Sequence, residues 1–398
     1  MSRARTDVWI TAALVALAAT LRLRSLTLNS FWMDELFTAT VLMRPVARQW
    51  QILWSDVHPP VFNLLAWAWS QGIGASEFQL RLLPALLGAA AVGCFFAMFR
   101  QRLGRIAAAA AALLAAFLPA HVFHSQDLRS YTLCFLLATL VTWALLEHAA
   151  RPSTARRWRL GLLCGLLFGT HYVGAFVVAA VLPAMWLLLE SGRRERLREG
   201  VRVLGTLCVA STPFLPHLLM RRSSMDQYWP DPPSWHAVIE LLRYPFRPRY
   251  DAPLDDVLAL AFLALLGLGL VASLREGGRA RRTGLALGVL TGLPPLLIVL
   301  ASLIQPRVSI LIPRLALLFA PPALLLSGLG AARVVRGAAT WIPAPLAAGT
   351  VLAALPALAF AVLLAGRYYE VPRKQECRGV IRELAALQHE PGVSFLMI

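Results

Sequence analysis

Long apolar runs alternate along this sequence with short polar stretches, many of them rich in arginine. Runs long enough to cross about 30 Å of hydrocarbon fall near 8–26, 82–99, 105–123, 130–148, 200–219, 254–274, 283–304, 314–332 and 340–365. The run between Arg157 and Glu190 is too long for one helix. Read as one, it sets the cluster Arg151, Arg156, Arg157, Arg159 opposite the cluster Arg193, Arg194, Arg196, Arg198. Divided at Gly169-Thr170-His171-Tyr172, it leaves both clusters on one side, as the bias of cytoplasmic loops toward basic residues requires. The pattern therefore predicts an all-α polytopic membrane protein of about eleven spans.

The stretch 61–69 is apolar but short and carries Trp67 and Trp69, which predicts a helix lying in the membrane interface rather than crossing it. With that assignment Arg100, Arg102 and Arg105, then Arg275, Arg279, Arg281 and Arg282, then Arg333 and Arg336 all face the cytoplasm. The outer face receives the 27–80 loop, a short loop over 121–129, the tip at His171, a long loop over 220–253, the 305–313 turn and a tail from 366. Most acids fall there, including Asp34, Glu35, Asp56, Asp127 and Asp251. The 220–253 loop mixes aromatic residues with prolines and reads as a lid on the membrane surface. In the tail, apolar spacing predicts a helix over 373–388 and a strand over 393–398. The chain divides into a transmembrane domain, 1–365, and a short or truncated outer tail, 366–398.

Composition agrees with this reading. The chain is 58% hydrophobic with a mean hydropathy of +0.63, and only 15% charged against roughly 25% in ordinary soluble domains. A net charge of +17 raises nucleic acid as a partner, but the arginines sit in clusters between apolar runs, where they orient helices. Nucleic-acid binding is therefore excluded. Cys94, Cys134, Cys164 and Cys208 lie inside apolar runs and Cys377 stands alone, so neither a disulfide framework nor a zinc site is indicated. No small-residue cleavage site follows the first run, which reads as an uncleaved span.

Ionised groups beside a bilayer need water or a partner, so the outer acids and arginines are the candidate chemistry. Asp34 and Glu35 follow Phe31-Trp32-Met33. The plain reading makes Asp34 the cap of a helix over 36–43 and leaves Glu35 solvated. The functional reading makes the pair a general base for an acceptor hydroxyl. Paired carboxylates also suit a hard cation, so a divalent metal at Asp34 and Glu35 is a second expectation, with none required. His58-Pro59-Pro60 is a stiff turn whose histidine either decorates it or faces substrate. Asp127, Arg129 and Tyr131 open the fourth span, and an outer arginine runs against the orienting bias, which favours binding of a polar lipid head. Arg314 and Arg81 each begin a span from outside, where a guanidinium either snorkels or meets a phosphate.

Taken in order, Trp32-Met33-Asp34-Glu35, His58-Pro59-Pro60, Arg81-Leu82-Leu83-Pro84, the stretch from Ser125 to Tyr131, and Pro313-Arg314-Leu315 resemble a known family. It is that of the bacterial transferases related to protein O-mannosyltransferases and lipid A aminoarabinose transferases. The resemblance implies a GT-C fold and an inverting hexosyl- or pentosyltransferase. It would use a polyprenyl-phosphate sugar donor and a lipid, glycan or protein acceptor, with no obligatory nucleotide. It also implies a multi-pass protein of the bacterial inner membrane with a periplasmic site. Asp34 stands for the first-loop catalytic acid and Asp127 for a second-loop acid, while His58, Arg81, Arg129, Tyr131 and Arg314 bind donor phosphate or substrate. Two departures are Asp127, where the family often has glutamate, and Leu315, where a tyrosine commonly follows the arginine. The competing expectations are a flippase or transporter of lipid-linked sugars, and a catalytically silent assembly partner.

Overall fold

The computed structural model describes residues 2–221, 233–247, 254–304, 310–372, 374 and 377–379. Among these residues there is helix and no strand. Each predicted apolar run is helical, with ends set by local chemistry. α1 (Arg3–Leu23) starts on Ser2, whose hydroxyl accepts from the Arg5 N–H. α2 (Met33–Leu42), α3 (Val46–Ser55) and α4 (Val61–Ile73) fill the first long connection. At about 1.5 Å per residue α4 is roughly 20 Å long, too short for a crossing, in keeping with an interfacial helix. α5 (Glu77–Leu103) begins on a reciprocal cap between Ser76 and Gln79.

The predicted span 105–123 is in fact two helices. α6 (Arg105–Phe117) stops before Leu118, because the residue preceding a proline is pushed out of helical geometry, and α7 (Pro119–His124) restarts with Pro119 at its first position. α8 (Tyr131–Ala150) follows, and the division of the 157–190 run appears as α9 (Thr154–Thr170) and α10 (Gly174–Leu188). Next come α11 (Arg193–Ser211), α12 (Leu215–Arg221), α13 (Trp235–Arg243), α14 (Asp255–Glu276) and α15 (Gly278–Ile304). The predicted span from 314 opens as a 3-10 turn, Pro313–Leu318, before α16 (Ala320–Ala338) and α17 (Ala344–Ala365). Half of the expected lid, 222–232 and 248–253, lies outside the described residues, as do the tail strand over 393–398 and most of the tail helix over 373–388.

Among the described residues seven helices are long and apolar enough to cross a membrane; α6, α9, α10 and α16, which carry the other expected spans, are shorter or less apolar. This is a multi-pass membrane protein. α5 and α8 are its centre, with most of their apolar windows buried, whereas α1, α11, α14, α15 and α17 turn most of theirs outward. Exposed Trp9, Leu260, Leu263 and Leu303 would be liabilities in water and are ordinary lipid-facing positions here. α14 and α16 approach closely at Gly269 and Gly330, where an added Cβ would strike the backbones of Leu326 and Leu265.

Ion pairs mark one end of the bundle: Asp7 with Arg100 and Arg105, Glu147 with Arg102, Glu190 with Arg282, and Glu276 with Arg336. A cavity of about 720 Å³ opens there, but its Arg102 and Arg336 are already paired to Glu147 and Glu276. The candidate residues gather at the other end.

Candidate active site

α2 begins at Met33 with Trp32, not Asp34, at its cap position, and no side chain caps it. Asp34 and Glu35 both fall in the first turn, where carboxylates suit the helix dipole, about 100° apart around the axis. That angle sends them to different places. Glu35 is fully buried. Its Oε1 accepts from Arg81 Nε at 2.8 Å and from the Leu128 N–H at 2.8 Å, and its Oε2 from Arg81 Nη2 at 2.7 Å and Lys374 at 3.3 Å.

Arg81 corrects the expectation that it meets substrate. It is completely buried, and its remaining donors reach the carbonyls of Leu26 at 3.2 Å, Asn29 at 2.6 Å and Ser30 at 2.9 Å. A guanidinium has five N–H donors, and all five are used inside the protein. Arg81 is a rivet that fixes the start of the first connection. Arg22, which sequence reasoning passed over as part of a span, is a second rivet. It donates to Ser125 Oγ, to the carbonyls of Ala18, Ala115 and Ala116, and to His121 Nδ1.

Asp34 opens outward, its side chain 28% exposed, with Oδ2 3.8 Å from Arg314 Nη2. The Arg314 guanidinium lies 5.9 Å from the Trp32 ring and 5.6 Å from the Tyr131 ring, an aromatic bracket that holds its position. Arg129, from the segment between α7 and α8, also reaches Asp34. Its Nη1 donates to the Asp34 carbonyl and to Thr38 Oγ1, both at 3.2 Å, and its Nη2 lies 3.3 Å from His58 Nε2. Its buried Nε has no acceptor among the described residues. Because arginine only donates, His58 Nε2 is the acceptor, so Nδ1 carries the proton and faces Asp56 Oδ1 at 3.4 Å. Burial pushes the Asp56 carboxyl up, but the hydrogen bond and charge of His58, with Arg129, outweigh it and hold Asp56 below the ordinary carboxylate value. His171, read from sequence as part of a turn, packs edge-on against His58 at 5.7 Å and lies 6.3 Å from Tyr131.

Asp127 sits behind this mouth rather than in it. It is fully buried, with Oδ2 2.7 Å from His124 Nδ1 and Oδ1 on the Lys374 ammonium. His124 Nε2 in turn meets the Tyr244 hydroxyl at 2.7 Å. Burial raises the Asp127 carboxyl, and the Lys374 ammonium and His124 overcome that and keep it below the ordinary carboxylate range. Sequence reasoning assigned no role to Lys374, His124 or Tyr244. The signal for Lys374 was available: it is the only lysine in the sequence.

The structure thus brings Asp34, Arg129, His58, Tyr131 and Arg314 to one mouth and sets Glu35, Arg81 and Asp127 beneath it. A shared metal at Asp34 and Glu35 does not fit, because both Glu35 oxygens already hold cationic donors and the two side chains diverge. Among the described residues no cluster of His, Cys, Asp and Glu is arranged to hold a metal.

Residues 57–220 match the family model of dolichyl-phosphate-mannose-protein mannosyltransferase. The chain is similar in structure to ArnT from Cupriavidus metallidurans in the apo state, with a TM-score of 0.59 and 14% identity over 92% of this chain and 76% of that one. It is also similar to the same protein bound to undecaprenyl phosphate, with a TM-score of 0.58 and 15% identity over 99% of this chain and 84% of that one. No curated protein sequence matches. The fold is of GT-C type.

Proposed function

We propose that this GT-C chain is a membrane glycosyltransferase that moves a sugar from a polyprenyl-phosphate carrier to a hydroxyl of a lipid, glycan or protein acceptor, with inversion at the sugar. One observation carries the reading: the Asp34 carboxylate, open to the mouth, stands 3.8 Å from Arg314, while Arg129 holds the backbone carbonyl of the same residue. Asp34 takes the acceptor proton, the acceptor oxygen attacks the anomeric carbon, and the sugar–phosphate bond breaks with its electron pair leaving on the lipid phosphate. Arg314 and the unfilled Nε of Arg129 meet that charge, each such preorganised donor contributing about 3 kcal/mol. A phosphate that competes for Arg314 also frees the Asp34 carboxylate to accept the proton. His58, held between Asp56 and Arg129, keeps the Arg129 plane oriented.

The undecaprenyl phosphate bound by the solved ArnT, and the mannosyltransferase match over 57–220, support a lipid-phosphate donor. The leaving group is already activated by its lipid phosphate, so transfer as proposed needs no nucleotide. We assign the site to the extracytoplasmic side, in the periplasm of a bacterium, because the basic clusters crowd the opposite end of the bundle. A flippase of lipid-linked sugars would hold the phosphate without needing a base and would carry ionisable groups at mid-membrane. Arg22 and Arg81 instead lie at the site-side ends of α1 and α5 with their donors filled by protein.

Transfer from a labelled polyprenyl-phosphate sugar in membranes tests the assignment. Asp34→Asn should abolish product without loss of protein. Undiminished product removes Asp34 from its role, and net movement of intact donor without product favours the flippase.

A further inference from the structure

Lys374 comes from beyond α17, yet its ammonium is only 2% exposed and lies between the two buried acids. It reaches Glu35 Oε2 at 3.3 Å, Asp127 Oδ1, and the Gln126 carbonyl at 3.1 Å. An ammonium has three hydrogens, and each has an acceptor here. Neighbouring residues on both sides of it are tied to the same region. Tyr368 donates to Gln126 Oε1 at 2.8 Å, Tyr369 to the Leu21 carbonyl at 2.9 Å, the Lys374 N–H to Asn29 Oδ1 at 3.1 Å, and Arg378 pairs with Glu77 at 2.6 Å.

The acids that Lys374 joins are the chain neighbours of the groups assigned to transfer. Glu35 follows Asp34, and Asp127 lies two residues before Arg129. These two segments also meet through Arg129 on the Asp34 carbonyl and Thr38 Oγ1 and through the Leu128 N–H on Glu35. Charge accounts for the choice of a lysine. With Arg81 and Lys374 the two buried carboxylates are balanced; without Lys374 one buried negative charge is left over, which strongly destabilises an apolar interior.

We infer that Lys374 is a positioning residue of the transfer site, a single ammonium that sets the spacing between the Asp34 base and the Arg129 cation from a segment distant in sequence. The inference rests on the transferase reading for its kinetic consequence but not for its geometry, and the test separates the two.

Because Lys374 is the only ε-amine in the sequence, acylation by an amine reagent, read by mass spectrometry on the peptide containing residue 374, reports its burial directly. In the intact protein, labelling should be slower than in the unfolded chain by about tenfold or more, and Asp127→Asn should accelerate it by removing the tighter partner. In the kinetic arm, Lys374→Met should lower kcat/KM by about tenfold or more, whereas Lys374→Met combined with Asp127→Asn restores charge balance and should fall within about threefold of Asp127→Asn alone. A side chain that merely fills space would give losses that multiply. Native labelling as fast as unfolded, multiplying losses, or an unchanged Lys374→Met enzyme would each overturn the inference. If the unaltered protein transfers no sugar at all, the functional reading fails, and the labelling arm still decides the place of Lys374.

Discussion

Asp34 and Glu35 are consecutive residues with opposite surroundings. The Glu35 carboxylate is wholly buried on Arg81 at 2.7 Å, while that of Asp34 is open to the mouth, 3.8 Å from Arg314. Neutralising each should therefore do different things. Asp34→Asn removes a base and should cut turnover by about 10²-fold or more while the melting temperature of the purified protein barely moves. Glu35→Gln strands Arg81 and Lys374 in a buried site and should cost about 3–5 kcal/mol, seen first as lost yield and a lowered melting temperature. The reverse ranking would exchange the roles assigned to them.

The same contrast separates the arginines. Arg314→Gln removes the cation that faces Asp34 at the mouth, so it should lower kcat by about 10²–10³-fold, with a higher KM for the lipid donor. Arg81→Gln releases three loop carbonyls and both Glu35 oxygens at once. Its expected defect is folding, visible as aggregation during purification in detergent. A well-folded Arg81→Gln protein that has lost only donor affinity would return Arg81 to the binding site.

Why sequence reasoning ranked Arg81 with Arg314 has a physical answer. Each is an arginine at the outer start of an apolar run, and a linear pattern carries no record of which guanidinium will be walled in. Apolar runs are legible because membrane thickness fixes their length, and the division of α9 from α10 is legible because charge fixes which side a loop faces. The break between α6 and α7 is written in Pro119 and is lost when a run is judged by hydropathy alone. Lys374 is the hardest residue to place. Its acceptor on Glu35 lies 339 positions away, and no periodicity spans that distance. Only its being the sole lysine among so many arginines marks it.

Stability should fall on mild acidification. His171 is held well below its ordinary pKa, first by burial and then by the charges of His58, Arg129 and Arg314, and His124 is lowered chiefly by burial. Below about pH 6.5 the unfolded chain binds protons at these residues that the folded chain refuses, so stability declines by at most about 1.4 kcal/mol per pH unit for each. Asp127 has the opposite history, with a lowered carboxyl whose contribution is intact through this window and is lost only below about pH 4. His171→Asn should thus flatten part of the melting-temperature profile between about pH 6.5 and 5, leaving the part due to the other buried histidines. An unaltered slope would mean that His171 accepts a proton freely in the folded protein.

Gly88 tests how rigidly the floor of the site is packed. A Cβ at this position would press on the Ser125 hydroxyl and lie 2.7 Å from Arg22 Nε. Arg22 has no slack with which to yield, since its donors reach three carbonyls, Ser125 and His121. The strain must then pass to Ser125 and along the short segment that carries Asp127 and Arg129. Gly88→Ala should cost about 1–3 kcal/mol by overpacking and lower sugar transfer as well. Gly349, inside α17 with nothing within 4 Å of its added Cβ, is the control, and Gly349→Ala should leave both melting temperature and turnover near the starting values. If the two substitutions behave alike, Arg22 and Ser125 adjust to each other freely, and the mouth above them is not held from this side.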